Sequence, residues 1–192
     1  MPKLWAETIE THRQEVREAI LEAAVALVSE QGLLTVTMSQ IAEKTGIGRA
    51  TLYKYFPDVE TILRTWHEGQ ITRHLEQLRA ASDGINDPFD RLSTMLNEYA
   101  LIAHESRDHR DTELAALLHG HHASHGHAEM ELRRMLRGLL RDASAAGAIR
   151  NDLSPDELGE YCIHALSASN VLPTKPAVRR LVAITIDGLR AT

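Results

Sequence analysis

Three cations stand close together, without an intervening acid, between residues 44 and 56 of the sequence. They are Lys44, Arg49 and Lys54, and threonine and tyrosine residues lie between and beside them. Guanidinium, ammonium, hydroxyl and aromatic groups in this density suit contacts with phosphates and with the edges of nucleic-acid bases. This segment is therefore the first candidate site.

A histidine-rich stretch of nine residues is a second candidate. Its histidines are His119, His121, His122, His125 and His127. His121 and His125 are spaced i, i+4, which on a helix would direct two imidazoles at one Zn, Ni or Cu ion. Gly120 and Gly126 disfavour such a helix, and no HExxH motif completes a ligand set. A solvated loop is the alternative, and we expect no metal or other cofactor.

Motifs of catalysis are missing from the sequence. It contains no GxSxG elbow, no P-loop and no complete GxGxxG loop. The single Cys162 can form neither an intrachain disulfide nor a zinc finger, and its place on an amphipathic helix is more typical of a packing residue than of a redox sensor. We expect a protein that is not an enzyme.

Composition narrows the fold and the location. The 192 residues are 43% hydrophobic and only 4% aromatic, with a net charge of −6. This balance favours helices, and the negative charge argues against general binding of polyanions. No apolar run approaches the roughly 18 residues that cross a bilayer, and no secretory signal is visible, so we expect a cytoplasmic protein.

Capping signals divide the chain into helices. Thr11 with Gln14 predicts the start of a first helix that ends before Gly32, and Thr37 with Gln40 predicts a second that ends at Gly46. A third is predicted from 49 to 55, and a fourth begins after Asp58 and runs to 82 or 84. Five more are predicted near 88–104, 112–119, 128–146, 155–169 and 177–189.

Two short helices joined by a tight turn, behind an amphipathic supporting helix, predict a helix-turn-helix. Four apolar residues would hold the pair together, namely Ile41, Ala42, Ile47 and Leu52. The outer face of the second short helix would then be free for phosphates and base edges. Tyr53 and Tyr55 stand at i and i+2 and cannot face the same way, so at least one of them is expected to pack in part.

The sequence LLTVTMSQIAEKTGIGRATLYKYF, residues 33–56, resembles the DNA-binding signature of the TetR family of repressors. The resemblance implies an all-α homodimer of about nine helices. Residues 10–57 would form the helix-turn-helix domain, and residues 58–192 would form a helical ligand-binding and dimerisation domain.

The resemblance also implies the residues that bind DNA. They are Thr37, Ser39, Gly48, Arg49, Ala50, Thr51, Tyr53, Lys54 and Tyr55. Arg49, Ala50 and Thr51 would lie nearest the base edges, Gly48 would open the recognition helix, and phosphates would be held by Thr37, Ser39, Tyr53, Lys54 and Tyr55. Two positions depart from the family pattern, because Gly48 replaces a frequent serine and Val59 a frequent lysine. The free N–H groups at the start of the fourth helix could still receive a phosphate.

Helix faces in the second domain suggest a ligand pocket for a small hydrophobic or aromatic effector, although plain core packing suits each residue. The pocket residues are Trp66, His67, Gln70, His74, Met95, Tyr99, Leu117, Leu118, Met135 and Tyr161. Apolar stripes on the last two helices suggest a four-helix dimer interface, or the core of one chain. They contain Leu158, Cys162, Ala165, Leu166, Val178, Leu181, Val182, Thr185, Ile186 and Leu189.

Taken together, the sequence predicts a DNA-binding transcription regulator, a repressor that a small ligand releases from a palindromic operator. The fourth helix would connect ligand binding to the spacing of the two recognition helices. Three alternatives stay open at this point. They are a metal-responsive regulator using the cluster at 119–127, a DNA-binding protein without an effector, and an enzyme with a vestigial DNA-binding domain.

Overall fold

The computed structural model describes residues 3–106 and 122–190, with side chains from 9–106 and 126–190. The described residues form eight α-helices and two short 3-10 helices, with no strand among them. The prediction of an all-α fold is confirmed. None of the described helices has both the length and the apolar character that a membrane crossing requires.

The helices are numbered in chain order. They are α1 (Lys3–Gln31), α2 (Met38–Thr45), α3 (Arg49–Tyr55), α4 (Val59–Ser82), α5 (Pro88–Glu105), α6 (His122–Ala145), α7 (Pro155–Ser167) and α8 (Lys175–Asp187), with the 3-10 helices η1 (Leu33–Thr35) and η2 (Ala168–Val171). The helix predicted near 112–119 lies outside the described residues. The chain forms two compact units, which divide inside α4 after Gln70.

Local signals fix both ends of α2. The Thr37 hydroxyl accepts a hydrogen bond from the Gln40 backbone N–H at 3.3 Å, and the Gln40 side chain accepts one from the Thr37 N–H at 2.8 Å. Gly46 ends the helix with φ of 71°, in the left-handed region that glycine enters without a steric penalty. These two predictions are confirmed, and so is the end of α1 before Gly32, which has φ of 84°.

The predicted start of α1 is wrong. Thr11 and Gln14 lie inside a helix that already begins at Lys3. An N-cap residue must leave helical geometry, and the residues before Thr11 contain good helix formers and no proline or glycine after Pro2 to stop them. The helix therefore extends past the capping signal.

The N-terminal unit has a small core that fixes the angle between α2 and α3. Its largest fully buried side chains are Ile20, Ile41, Leu52, Phe56, Ile62 and Leu63, each at most 1% exposed. Ala42 is 4% exposed, and Ile47 is half-buried. Burying such side chains stabilises the unit by about 1.5–3 kcal/mol each.

A larger core holds the C-terminal unit together. Helices α5, α6, α7 and α8 and the turn after α8 contribute Leu92, Leu96, Leu136, Leu140, Leu158, Leu166, Val178 and, from the turn, Leu189, all at most 2% exposed. The Asp87 carboxylate caps α5, and Ser154 with Glu157 forms a capping box at the start of α7. Helix α8 begins at Lys175, slightly earlier than predicted, because Thr174 caps it through the Ala177 N–H.

The start of α6 corrects a second prediction. Residues 122–127 are helical rather than a loop, and Gly126 lies within the helix. A glycine inside a helix costs only about 1 kcal/mol, which the tertiary contacts of a 24-residue helix can offset. Glycines are therefore weak evidence for a loop here.

The predicted dimer stripes lie mostly inside one chain. Leu158, Cys162, Leu166, Val178, Val182, Thr185 and Leu189 are between 0 and 4% exposed. Side chains with so little accessible surface pack within one chain, and the dimer interface itself stays a prediction. The remaining three, Ala165, Leu181 and Ile186, are half-buried.

Glu131 of α6 links two helices of the C-terminal unit. Arg134 Nη2 donates a hydrogen bond to its carboxylate at 2.6 Å, and Arg79 of α4 donates another. These bonds lower the pKa of Glu131 from 4.5 to about 2. Because the pKa is depressed in the folded state, the stabilisation is present above the ordinary value and is lost as the pH falls toward about 2.

We therefore expect Glu131→Gln to unfold at a lower urea concentration than the parent at pH 7, and the difference to shrink as the pH falls below about 4.5. Circular dichroism during urea titrations at several pH values measures this difference. Glu76→Gln is the control, because exposed Glu76 makes no ion pair among the described residues. A difference that stays constant with pH would contradict the assignment.

Candidate nucleic-acid interface

Helix α3 presents one polar face to solvent and one apolar side chain to the core. Arg49, Ala50, Thr51 and Lys54 are exposed, and Leu52 is fully buried. Residues on opposite sides of a two-turn helix separate in this way when one face packs and the other is left for a partner. The predicted division of α3 is confirmed.

The two tyrosines of α3 differ in exposure. Tyr53 is 49% exposed, whereas Tyr55 is half-buried beside the fully packed Phe56. The expectation that at least one of them packs in part is confirmed. Tyr53 is therefore the more accessible of the two to a partner.

The start of α2 offers one free hydroxyl rather than two. Thr37 Oγ1 donates to Gln40 Oε1 at 2.8 Å, so its single proton is engaged in the capping box. The predicted phosphate contact of the Thr37 hydroxyl would require that bond to break. Ser39 is exposed and makes no side-chain hydrogen bond among the described residues, so it is the better donor.

Gly48 immediately precedes α3 and is exposed, with φ of −67°. Its carbonyl accepts the N–H groups of Thr51 and Leu52 at 2.9 and 3.0 Å, but no side chain caps the helix. The first N–H groups of α3 therefore have no side-chain acceptor and can donate to a partner.

The start of α4 does not fit a phosphate site, which corrects the sequence-based expectation. Asp58 Oδ1 accepts the Thr61 N–H at 2.7 Å, and this bond lowers the pKa of Asp58. Glu60 in the first turn forms an ion pair with Arg64 at 2.6 Å. Two carboxylates already occupy this end, so a phosphate would meet like charge.

Two of the cations near the interface are neutralised and two are not. Lys44 Nζ lies 2.7 Å from Glu30 Oε1, and Arg64 pairs with Glu60. Arg49 and Lys54 make no ion pair with any described residue. Unpaired positive charge therefore remains on the exposed face of α3, which suits a polyanionic partner.

The contact between Arg17 and Phe56 could not be predicted from the spacing of residues in the sequence. The Arg17 guanidinium of α1 lies 4.9 Å from the centre of the Phe56 ring at the end of α3. These residues are distant in sequence, and no motif joins them. Only the packing of α1 against the α3 terminus brings a cation to this place.

The predicted pocket residues differ in how deeply they are buried. Met95 is 1% exposed in the C-terminal core, with Tyr99 and Met135 packed against that core. His74 is half-buried, and burial, followed by the charge of Arg73, lowers its pKa. Tyr161 is 42% exposed, which does not fit an enclosed pocket.

The other predicted pocket residues do not extend this set within the described part of the C-terminal unit. Trp66, His67 and Gln70 belong to the N-terminal unit and are half-buried, whereas Leu117 and Leu118 lie outside the described residues. The pocket as a whole stays a prediction.

The metal and redox candidates have little support. His119 and His121 lie outside the described residues, as does the side chain of His125, and His127 is exposed. Among the described side chains, no three histidine, cysteine or acidic residues come together to hold an ion. Burial raises the pKa of Cys162 to about 12, so its thiol stays protonated and unreactive.

Two family models match the chain. Residues 20–64 match bacterial regulatory proteins of the tetR family, and residues 87–191 match the C-terminal domain of SbtR-like transcriptional regulators. The first match contains α2 and α3 with the polar face described above, and the second contains the larger core.

Individual relatives agree with these matches. The chain is 31% identical over 91 residues to the uncharacterized HTH-type regulator YvdT of Bacillus subtilis, covering 47% of each chain. It is 27% identical over 142 residues to HbdR of an Aromatoleum species, covering 71% of this chain and 61% of HbdR. The chain thus matches less than two thirds of the length of either relative.

Solved structures share the fold over nearly the whole chain. A TetR/AcrR regulator from Thermobifida fusca is 19% identical with a TM-score of 0.74, covering 91% of this chain and 98% of that one. The TetR regulator SCO0520 from Streptomyces coelicolor is 27% identical with a TM-score of 0.62, covering 92% and 99%. FadR from Bacillus subtilis, solved with stearoyl-CoA, is 16% identical with a TM-score of 0.63, covering 90% and 99%.

Proposed function

Because the chain belongs to the TetR family of bacterial regulatory proteins, we propose that it is a sequence-specific DNA-binding transcription regulator that acts as a repressor. The proposed activity is binding and includes no catalytic step. The observation that carries it is the exposed face of α3, where Arg49 and Lys54 make no ion pair with a described residue while Leu52 anchors the helix in the core.

Some side chains of this face would contact base edges, and others would contact phosphates. Arg49 has the two-pronged donor geometry that suits guanine in the major groove, and Thr51 lies beside it. Lys54, Ser39 and Tyr53 supply a charge and hydroxyl groups for phosphates, which fix the register of the helix without reading sequence. Ala50 can contribute at most an apolar contact with a thymine methyl group.

Selection of bound fragments from sheared genomic DNA tests this function. The purified protein is expected to enrich a small set of fragments that share one motif, which we call the operator. Footprinting of an enriched fragment then gives the protected bases. Recovery of fragments without a shared motif, or no retained DNA at low salt, would contradict sequence-specific binding.

The proposal includes a homodimer, since two recognition helices about 34–36 Å apart read successive major grooves of a palindrome. We propose that the second copy contacts the exposed face of α7 and α8 rather than their buried apolar stripes. It carries Tyr161 and Ala165 on α7 with Leu181 and Ile184 on α8, of which Ile184 is 67% exposed. Exposed apolar side chains at helical spacing favour helix–helix packing.

Ile184→Glu is expected to convert the dimer to a monomer, because a carboxylate buried at the contact between copies has no partner charge. Sedimentation equilibrium at micromolar concentration measures the change, and affinity for a two-half-site operator should fall with it. Met130→Glu is the control, since Met130 is 63% exposed on α6, outside the proposed face. An unchanged dimer in Ile184→Glu would refute this interface.

We also propose that a small hydrophobic effector acts on the C-terminal unit and lowers DNA affinity. Support comes from a regulator of similar fold, FadR of Bacillus subtilis, whose structure contains stearoyl-CoA. A ligand that binds the non-DNA-binding conformation better shifts the population toward it. Titrating a panel of acyl-CoA and aromatic compounds into the protein–operator complex tests this, and no release by any compound would favour a regulator without an effector of these classes.

A further inference from the structure

The N-terminal unit holds more unpaired positive charge than α3 accounts for. Its described side chains include six cations, of which Lys44 and Arg64 are neutralised by Glu30 and Glu60. The other four make no ion pair with any described residue. They are Arg13, Arg17, Arg49 and Lys54. Two of these four cations therefore lie on α1 rather than on α3.

Arg17 lies at the C-terminal end of α3. Its guanidinium is 4.9 Å from the centre of the Phe56 ring, and Phe56 directly follows the last residue of that helix. A guanidinium stacked on an aromatic face keeps its in-plane N–H groups free for other acceptors. The ring thus fixes the position of the cation without neutralising it.

Arg13 precedes Arg17 by one helical turn and lies on the same side of α1. Residues 9–15 are exposed all round the helix, so α1 projects beyond the packed part of the unit at this point. The two arginines therefore follow one another along a projecting helix, starting beside the end of α3.

Among the described residues, the acids of this part of α1 form no ion pair with the two arginines. Glu15 lies 3.7 Å from His12, and Glu18 accepts a hydrogen bond from Gln14 at 3.1 Å. Glu10 is the one acid near the side of Arg13, and no described ion pair joins them.

The start of α4 cannot serve the same end of the interface. Asp58 accepts the Thr61 N–H and Glu60 pairs with Arg64, so the first turn of α4 offers neither a free cation nor an uncapped N–H at Thr61 to a phosphate. Arg17 of α1 is the cation shown to flank this end of α3, and it makes no ion pair with a described residue.

We propose that Arg13 and Arg17 form a second phosphate-binding strip, which extends the contact with duplex DNA from the end of α3 along α1. The strip binds backbone phosphates and reads no base. This proposal rests on the proposed DNA binding, and it assigns part of the affinity to a helix outside the helix-turn-helix pair.

Salt-dependent affinity tests the strip. Binding of the parent, Arg13→Ala and Arg17→Ala is measured by fluorescence anisotropy on the selected operator fragment and on a random-sequence duplex of the same length, between about 50 and 200 mM KCl. Each variant is expected to weaken binding to both duplexes by the same factor. The slope of log K against log salt should become shallower by about 0.9 for each phosphate that is no longer neutralised. The ratio of the parent's binding constant to the variant's should therefore fall about threefold between about 50 and 200 mM KCl.

Three controls separate a phosphate contact from other effects. Lys44→Ala removes the same charge from a cation already paired with Glu30, and is expected to leave the slope unchanged. Arg17→Lys retains the charge and is expected to retain the slope. Tryptophan fluorescence during urea unfolding shows whether Arg17→Ala has weakened the fold through Phe56, an effect that would not alter the slope.

The possible outcomes distinguish the strip from the proposed function. If the parent binds neither duplex, both proposals are overturned. If the parent binds and the slopes of Arg13→Ala and Arg17→Ala equal that of the parent, or Lys44→Ala lowers the slope equally, only the strip is overturned. Loss on the operator with unchanged binding to random duplex would assign the arginines to base reading and would also overturn it.

Discussion

Arg49→Ala is expected to weaken operator binding by about 5- to 150-fold per protein copy, the range that corresponds to one bidentate contact with a base. Arg49 is exposed at the first turn of α3 and has no acidic partner among the described residues, so its guanidinium is free to reach a base edge. The loss should be concentrated at one position of the operator, because alanine can no longer discriminate among bases there.

A set of operator duplexes, each with one base pair changed, measures this effect at a fixed salt concentration. The parent should discriminate against substitutions at the position that Arg49 reads, and Arg49→Ala should bind those duplexes nearly equally. Lys54→Ala is the matched variant, since it removes from the same helix one cation that has no ion pair among the described residues. It should weaken all duplexes alike and reduce the salt slope by about 0.9.

If Arg49→Ala and Lys54→Ala behave identically, with equal losses on operator and random duplex, the division of roles along α3 is wrong. If Lys54→Ala alone changes base preference, the roles are reversed. Either result would leave DNA binding by this helix intact.

Leu52→Ala is expected to destabilise the N-terminal unit by about 2–5 kcal/mol, the usual cost of deleting a buried leucine side chain. Leu52 is 0% exposed and is the only residue of α3 that is buried. Alanine at this position leaves a cavity where α3 meets the core, and a unit of this size has few other large side chains to compensate for it.

Urea unfolding followed by tryptophan fluorescence measures this loss selectively. Both tryptophans of the chain, Trp5 and Trp66, belong to residues 1–70, so their signal reports on the N-terminal unit. Thr51→Ala is the control, because the neighbouring Thr51 side chain is exposed and its removal should change stability by less than about 0.5 kcal/mol. Equal midpoints for Leu52→Ala and the parent would show that α3 is not held by this contact.

Local signals were sufficient wherever a turn or cap decides the structure. The Thr37–Gln40 box, the left-handed Gly46 and the Ser154–Glu157 box each depend on residues within a few positions of one another. Such features form through hydrogen bonds and backbone preferences that the sequence displays directly. The boundaries of α2 and α3 and the polar face of α3 followed from them.

The spacing of apolar residues could not predict whether a stripe packs within one chain or against a second copy. The stripe containing Leu158, Cys162 and Leu166 has the same pattern whether it meets a second copy or the same chain, and it lies in the core of one chain. At the start of α4 the sequence indicated the Asp58 cap, which the structure confirms, but not that the Asp58 and Glu60 carboxylates together would make this end unsuitable for a phosphate.

The sequence by itself determined the helical class, the helix-turn-helix and the direction in which α3 presents Arg49 and Lys54, because these depend on periodicity and short-range capping. Only the tertiary structure decided which apolar stripes are internal, which cations are neutralised, and that Arg17 lies over Phe56. Those features arise from contacts between residues far apart in the chain, and no local pattern specifies which distant side chain will meet which.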